Sequence, residues 1–184
     1  ESLVIKRQIG DRQGEARSLH NLGAIALTRG DLDEAERLNR ESLAIMREIG
    51  DRQGEARSLH NLGMIAEARG DLDETEKLYR ESLAITRRIG DRQGESRSLN
   101  NLGIIANVRG DLDEAERLHR ESLVIKRQIG DRQGEASSLG NIGNFSYVRG
   151  DFDEAERLHR ESLAITRQIG YRQGESRSLG AIGK

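Results

Sequence analysis

A unit of 40 residues repeats along the whole 184-residue chain, and this period constrains the fold more than any other feature. The string IGDRQGE occurs four times at intervals of 40 residues, and a fifth copy, IGYRQGE, begins at Ile169. Residues 11–50 and 51–90 are identical at 32 of their 40 positions. The period predicts one continuous array: a half unit at 1–10, whole units at 11–50, 51–90, 91–130 and 131–170, and a half unit at 171–184.

Each unit has the pattern of two amphipathic helices. In the first unit, two sets of residues fall at helical spacing: Leu19, Leu22, Gly23, Ile25 and Ala26, then Leu32, Ala35, Leu38, Ser42, Ile45 and Ile49. Gly30 suits the left-handed position that ends a helix, and Asp31 with Glu34 has the spacing of a capping box. Gly23 lies inside the first helix, where we expect a close helix crossing with Ala35 as its small partner.

Composition narrows the range of partners. Only 34% of residues are hydrophobic and 3% aromatic, which suits helix pairs that each bury a narrow stripe. The 30 basic and 32 acidic residues leave a net charge of −2, so no overall field favours nucleic acid or a membrane surface. The absence of Cys excludes disulfides and thiolate metal sites. No signal peptide or membrane-spanning run is visible, which leaves the compartment undetermined, with the cytoplasm as the expectation.

The pattern Leu19-x-x-Leu22-Gly23-x-x-Ala26, followed by Ala35, resembles the tetratricopeptide signature Trp-x-x-Leu-Gly-x-x-Tyr…Ala. The period of 40 and the phrase GDRQGEARSLHNLG resemble the long-helix subclass found in Pins/LGN polarity adaptors and kinesin light chains. Similar arrays occur as sensor arms in prokaryotic signalling ATPases. The resemblance implies an all-α fold of ten helices, a right-handed superhelical solenoid of antiparallel helix pairs. It also implies a concave groove, lined by the first helix of each unit, that binds extended partner segments.

Most differences between units fall on one face of the first helix, at positions spaced 3-4-3. The four positions hold Arg17, His20, Ala24 and Leu27 in the first unit, Arg57, His60, Met64 and Glu67 in the second, Arg97, Asn100, Ile104 and Asn107 in the third, and Ser137, Gly140, Asn144 and Tyr147 in the fourth. An unvaried row runs beside them: Asn21, Asn61, Asn101 and Asn141. We predict that all of these residues except Ser137 and Gly140 bind a protein or peptide of acidic character.

The chemistry suggested for this face has structural alternatives. Asparagine amides can hold a peptide backbone, and the arginines can make forked contacts to carboxylates. Equally, the asparagines can hydrogen-bond neighbouring helices, and the arginines can pair with Glu15, Glu55 and Glu95.

Catalysis, metal binding and nucleic-acid binding are not predicted. A nucleophile is needed once, whereas the polar residues of this chain recur in every unit. His20 and His60, and likewise His119 and His159, are equivalent residues one unit apart, at about the 10 Å of packed helices. That separation is too large for shared metal ligation. The sequence therefore predicts no enzyme, no cofactor and no metal site.

The half units suggest a second function. Because the chain starts at Glu1 within a unit, we expect it to be part of a longer protein. Exposed apolar residues of the two half units would favour head-to-tail self-association into a ring or filament: Leu3, Ile5, Ile9, Leu179 and Ile182. Tyr171 stands where the other units have Asp.

Overall fold

The computed structural model describes residues 2–175, and this part of the chain is built from repeated helix pairs, as predicted. It contains no strand among these residues. The helices are α1 (Ser2–Gln8), α2 (Arg12–Thr28), α3 (Leu32–Ile49), α4 (Arg52–Ala68), α5 (Leu72–Ile89), α6 (Arg92–Val108), α7 (Leu112–Ile129), α8 (Arg132–Val148) and α9 (Phe152–Gln168). Residues 172–175 are also helical, and the rest of the predicted tenth helix lies outside the described residues.

Aspartate and glycine separate the helices, as the sequence predicts. Gly30 and Gly50 adopt positive φ angles of 79° and 73°, which a residue with a Cβ rarely adopts. Asp31 caps α3 by accepting a hydrogen bond from the Glu34 backbone N–H. Only this half of the predicted capping box forms, because Arg37 binds the Glu34 carboxylate and the Asp31 N–H donates to the Ala26 carbonyl.

The chain divides into two compact units, Glu1–Ser98 and Leu99–Lys184, and the boundary between them falls within α6. In the first unit, α2 packs on α3 and α4 packs on α5 around a core that includes Leu19, Ala35 and Ile45. In the second unit, α8 packs on both α7 and α9. A core cluster there consists of Leu123, Ala136, Leu139, Ile142, Leu158 and Ile165.

The predicted apolar seam of the first helix is buried in the second repeat but not throughout the first. Leu62 is 4% exposed, whereas the equivalent Leu22 is 42% exposed. The reason is packing, because α4 contacts the preceding first helix, α2, and the described residues contain no first helix before α2.

A buried glutamate near the start of the first helix joins successive repeats. The Glu55 carboxylate accepts hydrogen bonds from Arg47 of α3, at 2.9 Å, and from Arg52 of α4, at 2.7 Å. Burial raises the pKa of Glu55, but these two hydrogen bonds outweigh burial and lower the pKa overall. Glu15, Glu95 and Glu135 are bound in the same way.

Candidate functional site

The variable positions of the first helices are accessible in each of the two units, and we call the helix face that carries them the first-helix face. The first of the four positions is exposed in every repeat, at Arg17, Arg57, Arg97 and Ser137. The second is half-buried, at His20, His60, Asn100 and Gly140. The third and fourth are half-buried at Ala24 and Leu27 and exposed at Met64, Glu67, Ile104, Asn107, Asn144 and Tyr147.

The arginines of this face are not used in ion pairs. Among the described residues, Arg17, Arg57 and Arg97 form no ion pair and no hydrogen bond. The alternative pairing with Glu15, Glu55 and Glu95 is wrong, because each of those carboxylates is bound by two other arginines. Arg7 and Arg12 bind Glu15, for example, at 2.8 and 2.7 Å. The face therefore presents a row of guanidinium groups whose charge the neighbouring carboxylates do not neutralise.

The asparagine row is partly used by the fold. The Asn61 amide donates to the side-chain oxygen of the buried Asn39 at 3.1 Å, and its nitrogen lies 3.5 Å from Nδ1 of His20. The Asn61 amide nitrogen therefore hydrogen-bonds a neighbouring helix, as in the structural alternative. Within the described part of the chain, Asn21, Asn101 and Asn141 make no side-chain hydrogen bond, and all three are exposed or half-buried.

Several other predicted residues contact neighbours. Glu67 accepts a hydrogen bond of 2.9 Å from the Tyr79 hydroxyl. Asn100 accepts one of 3.3 Å from the buried Lys126 ammonium group. Tyr147 packs edge-on against Phe152, with ring centroids 5.4 Å apart. Their exposed edges remain part of the first-helix face.

The four histidines divide into two pairs. His20 and His60 lie on the first-helix face, where burial and then the charge of the next repeat's arginine lower their pKa values, that of His60 to about 4. His119 and His159 lie buried between the helices of a repeat. Burial, followed by the charge of Lys126, lowers the pKa of His119 to about 4, and its Nδ1 has no hydrogen-bond partner. Among the described residues, no three His, Cys, Asp or Glu side chains cluster where they could hold a metal ion.

The partner of the glycine inside each first helix differs from the prediction. A Cβ on Gly63 would lie 2.5 Å from the Tyr79 ring, and a Cβ on Gly103 would lie 2.9 Å from the His119 ring. At Gly23 the nearest group is the Asn39 amide, and the predicted partner, Ala35, contributes only its carbonyl oxygen at 3.4 Å. The glycine thus makes room for a large or polar residue from the second helix.

Two cavities open on the first-helix face at equivalent places in the second and fourth repeats. The first, of about 60 Å³, is lined by Gln53, Ala56, Arg57, His60, Ser82, Thr86, Asp91, Gln93, Gly94 and Arg97. The second, of about 130 Å³, is lined by Ala136, Ser137, Gly140, Asn141, Asn144, His159, Ser162, Thr166, Tyr171 and Gly174. We call them the repeat-2 pocket and the repeat-4 pocket.

A threonine at the end of the second helix keeps each pocket open. Thr86 and Thr166 lie beside Gly94 and Gly174, against which longer side chains pack in the other repeats. Met46 packs there in the first repeat, and in the third Lys126 extends to within 2.9 Å of the Ser138 hydroxyl. Sequence reasoning missed these pockets, although the variation Met46, Thr86, Lys126, Thr166 was a visible signal of them.

The residues predicted for end-to-end contacts are only partly described. Leu3 is half-buried, whereas Ile5 is 51% and Ile9 71% exposed. In the later repeats, the residue equivalent to Ile5 is covered; Ile45, for example, is 4% exposed. Leu179 and Ile182 lie outside the described residues.

Comparison with known proteins confirms the predicted family. Family models of the tetratricopeptide repeat match residues 1–48, 54–128 and 136–169. The chain therefore belongs to the tetratricopeptide repeat family. A search of curated proteins found no match.

Three solved structures illustrate the likeness of the fold. BtubC (BKLC) from P. vanneervenii is 23% identical, with a TM-score of 0.77 over 87% of this chain and 66% of that one. A putative kinesin light chain from Podosopora anserina, with nearly identical tetratricopeptide-like repeats, is 20% identical, with a TM-score of 0.70 over 91% and 86%. A Rap protein complexed with Competence and Sporulation Factor is 14% identical, with a TM-score of 0.73 over 92% and 47%. The chain thus spans less than two thirds of BtubC and less than half of the Rap protein.

The helices of the described residues were compared with the requirements for crossing a membrane. Within residues 2–175, none of the helices combines the length and the apolar character needed to cross a bilayer.

Proposed function

We propose that the first-helix face binds an extended, acidic segment of a partner protein and that the chain acts as a non-catalytic interaction scaffold. The observation that carries this proposal is the row formed by Arg17, Arg57 and Arg97. All three are exposed, and none is paired with a carboxylate among the described residues. A guanidinium group binds a carboxylate through two parallel hydrogen bonds, so this row favours acidic side chains over neutral ones.

The remaining residues of the face supply complementary contacts. The asparagine side chains offer amide donors and acceptors that match a peptide backbone, and at Asn61 the oxygen remains for this purpose. Met64, Ile104 and Tyr147 are each at least 37% exposed and offer apolar surface between the polar rows. Backbone contacts would give affinity, and the arginines and apolar residues would give selectivity.

The family supports a binding role. Tetratricopeptide repeats are stacked helix pairs that offer extended surfaces to partners. One protein of similar fold, the Rap protein, has been solved in complex with Competence and Sporulation Factor.

The test is a selection from a display library of peptides, followed by titration of the best binder. We expect acidic peptides, and we expect Arg57→Ala with Arg97→Ala to weaken binding at least about tenfold, because two forked contacts are lost. The control is Arg40→Ala with Arg80→Ala, which removes the same charge from second helices, where both arginines pair within their own helix. Equal weakening by the two variants, or a selection without acidic peptides, would contradict the proposal.

The asparagine row has its own test. Asn61→Ala with Asn101→Ala should weaken every selected peptide to a similar degree, because backbone contacts do not depend on the peptide's sequence. Unchanged affinity would remove the asparagines from the proposed site while leaving the arginines in it.

Self-association through α1 is a second candidate, favoured by the exposure of Ile5 and Ile9. Light scattering on a size-exclusion column, over a wide range of loading concentrations, measures it directly. We expect the molar mass of the wild-type chain to rise above 20.6 kDa as the concentration increases. The Ile5→Ser, Ile9→Ser variant should remain at 20.6 kDa at every concentration, because it lacks the exposed apolar side chains. A wild-type mass that stays at 20.6 kDa at every concentration rejects this candidate.

A further inference from the structure

The repeat-4 pocket differs from its counterpart because one position has lost its side chain. Gly140 occupies the place of His20 and His60. A Cβ added to Gly140 would meet only the Ser162 hydroxyl, at 4.0 Å, whereas a Cβ on Gly143 would lie 2.9 Å from the His159 ring. Gly143 is therefore required by close packing, and Gly140 is not. What Gly140 provides is open volume within the cavity of about 130 Å³.

Two positions that line the same pocket have also lost their charge. Ser137 stands where the other repeats have arginine, and Tyr171 stands where they have aspartate. Among its described lining residues there is no Asp, Glu, Lys or Arg. The one titratable imidazole, His159, has its pKa lowered by burial and is neutral at physiological pH. Among these described residues, an ion entering the pocket would find no partner of opposite charge to offset its lost hydration.

The polar atoms of the lining favour a hydrogen-bond donor. The hydroxyl of Ser137 donates to the Gln133 carbonyl at 3.1 Å, and that of Thr166 donates to the Leu163 carbonyl at 3.0 Å. Both oxygens are left as acceptors. The Asn141 and Asn144 amides, which make no hydrogen bond within the described part of the chain, add further acceptors and donors.

The shape favours a ring. An apolar cavity of about 150 Å³ is enough to hold a benzene molecule, so a volume near 130 Å³ suits one six-membered ring that enters from an open side. The Tyr171 and His159 rings line the wall, and aromatic rings pack well against each other in offset or edge-on geometry.

We propose that the repeat-4 pocket binds an uncharged aromatic ring that carries a hydrogen-bond donor, namely a tyrosine side chain of the partner. This inference rests on the proposed function in one respect: the tyrosine is taken to belong to the partner that binds the first-helix face, where the pocket lies. Binding of the ring itself is independent of the arginine row.

The experiment uses p-cresol as the probe and follows the backbone amides of Gly140, Asn141 and Asn144 by NMR titration. As a comparison of equal shape, p-toluate carries a carboxylate in place of the hydroxyl. Gly140→His restores the residue of the first two repeats and fills the pocket, and Thr166→Met does so from the second helix. The matched control is Thr86→Met, which makes the same change in the repeat-2 pocket.

We expect p-cresol to shift these amides in the wild-type chain and to bind at least about tenfold more tightly than p-toluate. Gly140→His and Thr166→Met should each weaken p-cresol at least about tenfold, and Thr86→Met should leave it unchanged. The inference is overturned if p-cresol shifts no amide of this pocket, if p-toluate binds equally well, or if both blocking variants leave affinity unchanged. Loss of p-cresol binding together with intact acidic-peptide binding would reject this inference alone. Intact p-cresol binding together with loss of acidic-peptide binding would reject the proposed function alone.

Discussion

The second and fourth repeats contain pockets at equivalent places, and the described residues that line them differ in charge. In the repeat-2 pocket, two arginines, an aspartate and a histidine are among the residues around a cavity of about 60 Å³. In the repeat-4 pocket, the described lining residues are uncharged and surround about 130 Å³, and Arg177, the equivalent of Arg97, lies outside the described residues. Helices α4 and α8 begin and end at equivalent residues, and α5 and α9 begin at equivalent residues, although α9 ends one residue earlier than α5. Ser137, Gly140 and Tyr171 replace the arginine, the histidine and the aspartate that stand at these places in the second repeat.

The first and third repeats show how such a pocket is closed. Met46 occupies the space in the first repeat. In the third repeat the buried Lys126 occupies it, and its ammonium group donates hydrogen bonds to Ser138 and Asn100. The residue at this position of the second helix is thus threonine beside each of the two pockets and a longer side chain in the other two repeats. The first-helix face then decides what kind of group the pocket accepts. A family of nearly identical repeats can acquire different binding sites through these few positions without a change of fold.

The side chain that packs against the glycine of the first helix differs in every one of the first three repeats: it is Asn39, Tyr79 or His119. Tyr79 is satisfied by Glu67 in the second repeat, whereas His119 in the third is buried with an unpartnered Nδ1. Burial lowers the pKa of His119 from 6.5 to about 4, so the unfolded chain takes up a proton at higher pH than the folded chain does. The stability from His119 is thus fully present above about pH 6.5 and is lost as the pH falls towards 4, by about 3 kcal/mol in total.

The variant His119→Tyr, which introduces the residue of the second repeat, should remove this dependence. Its stability relative to wild type should increase by about 2 kcal/mol between pH 7.5 and pH 5, measured by urea unfolding. Arg120→Ala, an exposed neighbour on the same helix, serves as the control and should keep the wild-type dependence. An unchanged pH profile in His119→Tyr would show that His119 is not buried as a neutral group.

Two of the three glycines of α8, Gly143 and Gly140, should respond oppositely to alanine. Gly143→Ala places a Cβ 2.9 Å from the His159 ring and should lower the free energy of unfolding by about 1–2 kcal/mol, even after the gain in helix propensity. The measurement is urea unfolding at neutral pH. Stability equal to or above that of wild type would mean that the His159 ring moves aside without cost.

Exchange of the pocket residues should convert one chemistry into the other. Ser137→Arg, Gly140→His and Tyr171→Asp together give the fourth repeat the residues of the second. We expect p-cresol to bind at least about tenfold more weakly, which is about 1.4 kcal/mol, and p-toluate to gain affinity. Calorimetric titration of both probes measures the change. If the triple variant kept the wild-type preference, residues beyond these three would have to set the selectivity.

The smallest effect is expected at the glycine that no packing requires. Gly140→Ala should raise the free energy of unfolding by about 0.5–1 kcal/mol, because alanine stabilises a helix interior and its Cβ meets only the Ser162 hydroxyl at 4.0 Å. Chemical unfolding beside Gly143→Ala provides the comparison. A loss of stability would indicate that the pocket is more tightly packed than its volume of about 130 Å³ implies.

Much of the fold follows from the sequence because each helix signal is local and recurs. The glycine of each turn, the aspartate that follows it in all but the last turn, the helical spacing and the family signature predict the helix pairs, and the structure and the family match confirm them. The division into units such as 11–50, and their continuity as a single array, remain predictions.

The candidate site could be predicted only in outline. The variation between repeats on the first helices marks accessible positions, but variation alone does not identify exposure, because Asn39, Tyr79 and His119 also differ and are buried. The partners of its residues could not be predicted, because Glu15 is bound by Arg7 and Arg12 rather than by its neighbour two residues away, Arg17.

The repeating helix pair, its caps and the variable face can be predicted from the residues alone, since these features depend on residues a few positions apart. The contacts between side chains of different helices follow from the three-dimensional packing: Asn39 beneath Gly23, the arginines left without carboxylates, and the pockets beside Thr86 and Thr166. These contacts depend on distances between helices and on side-chain length. Periodicity carries no information about either.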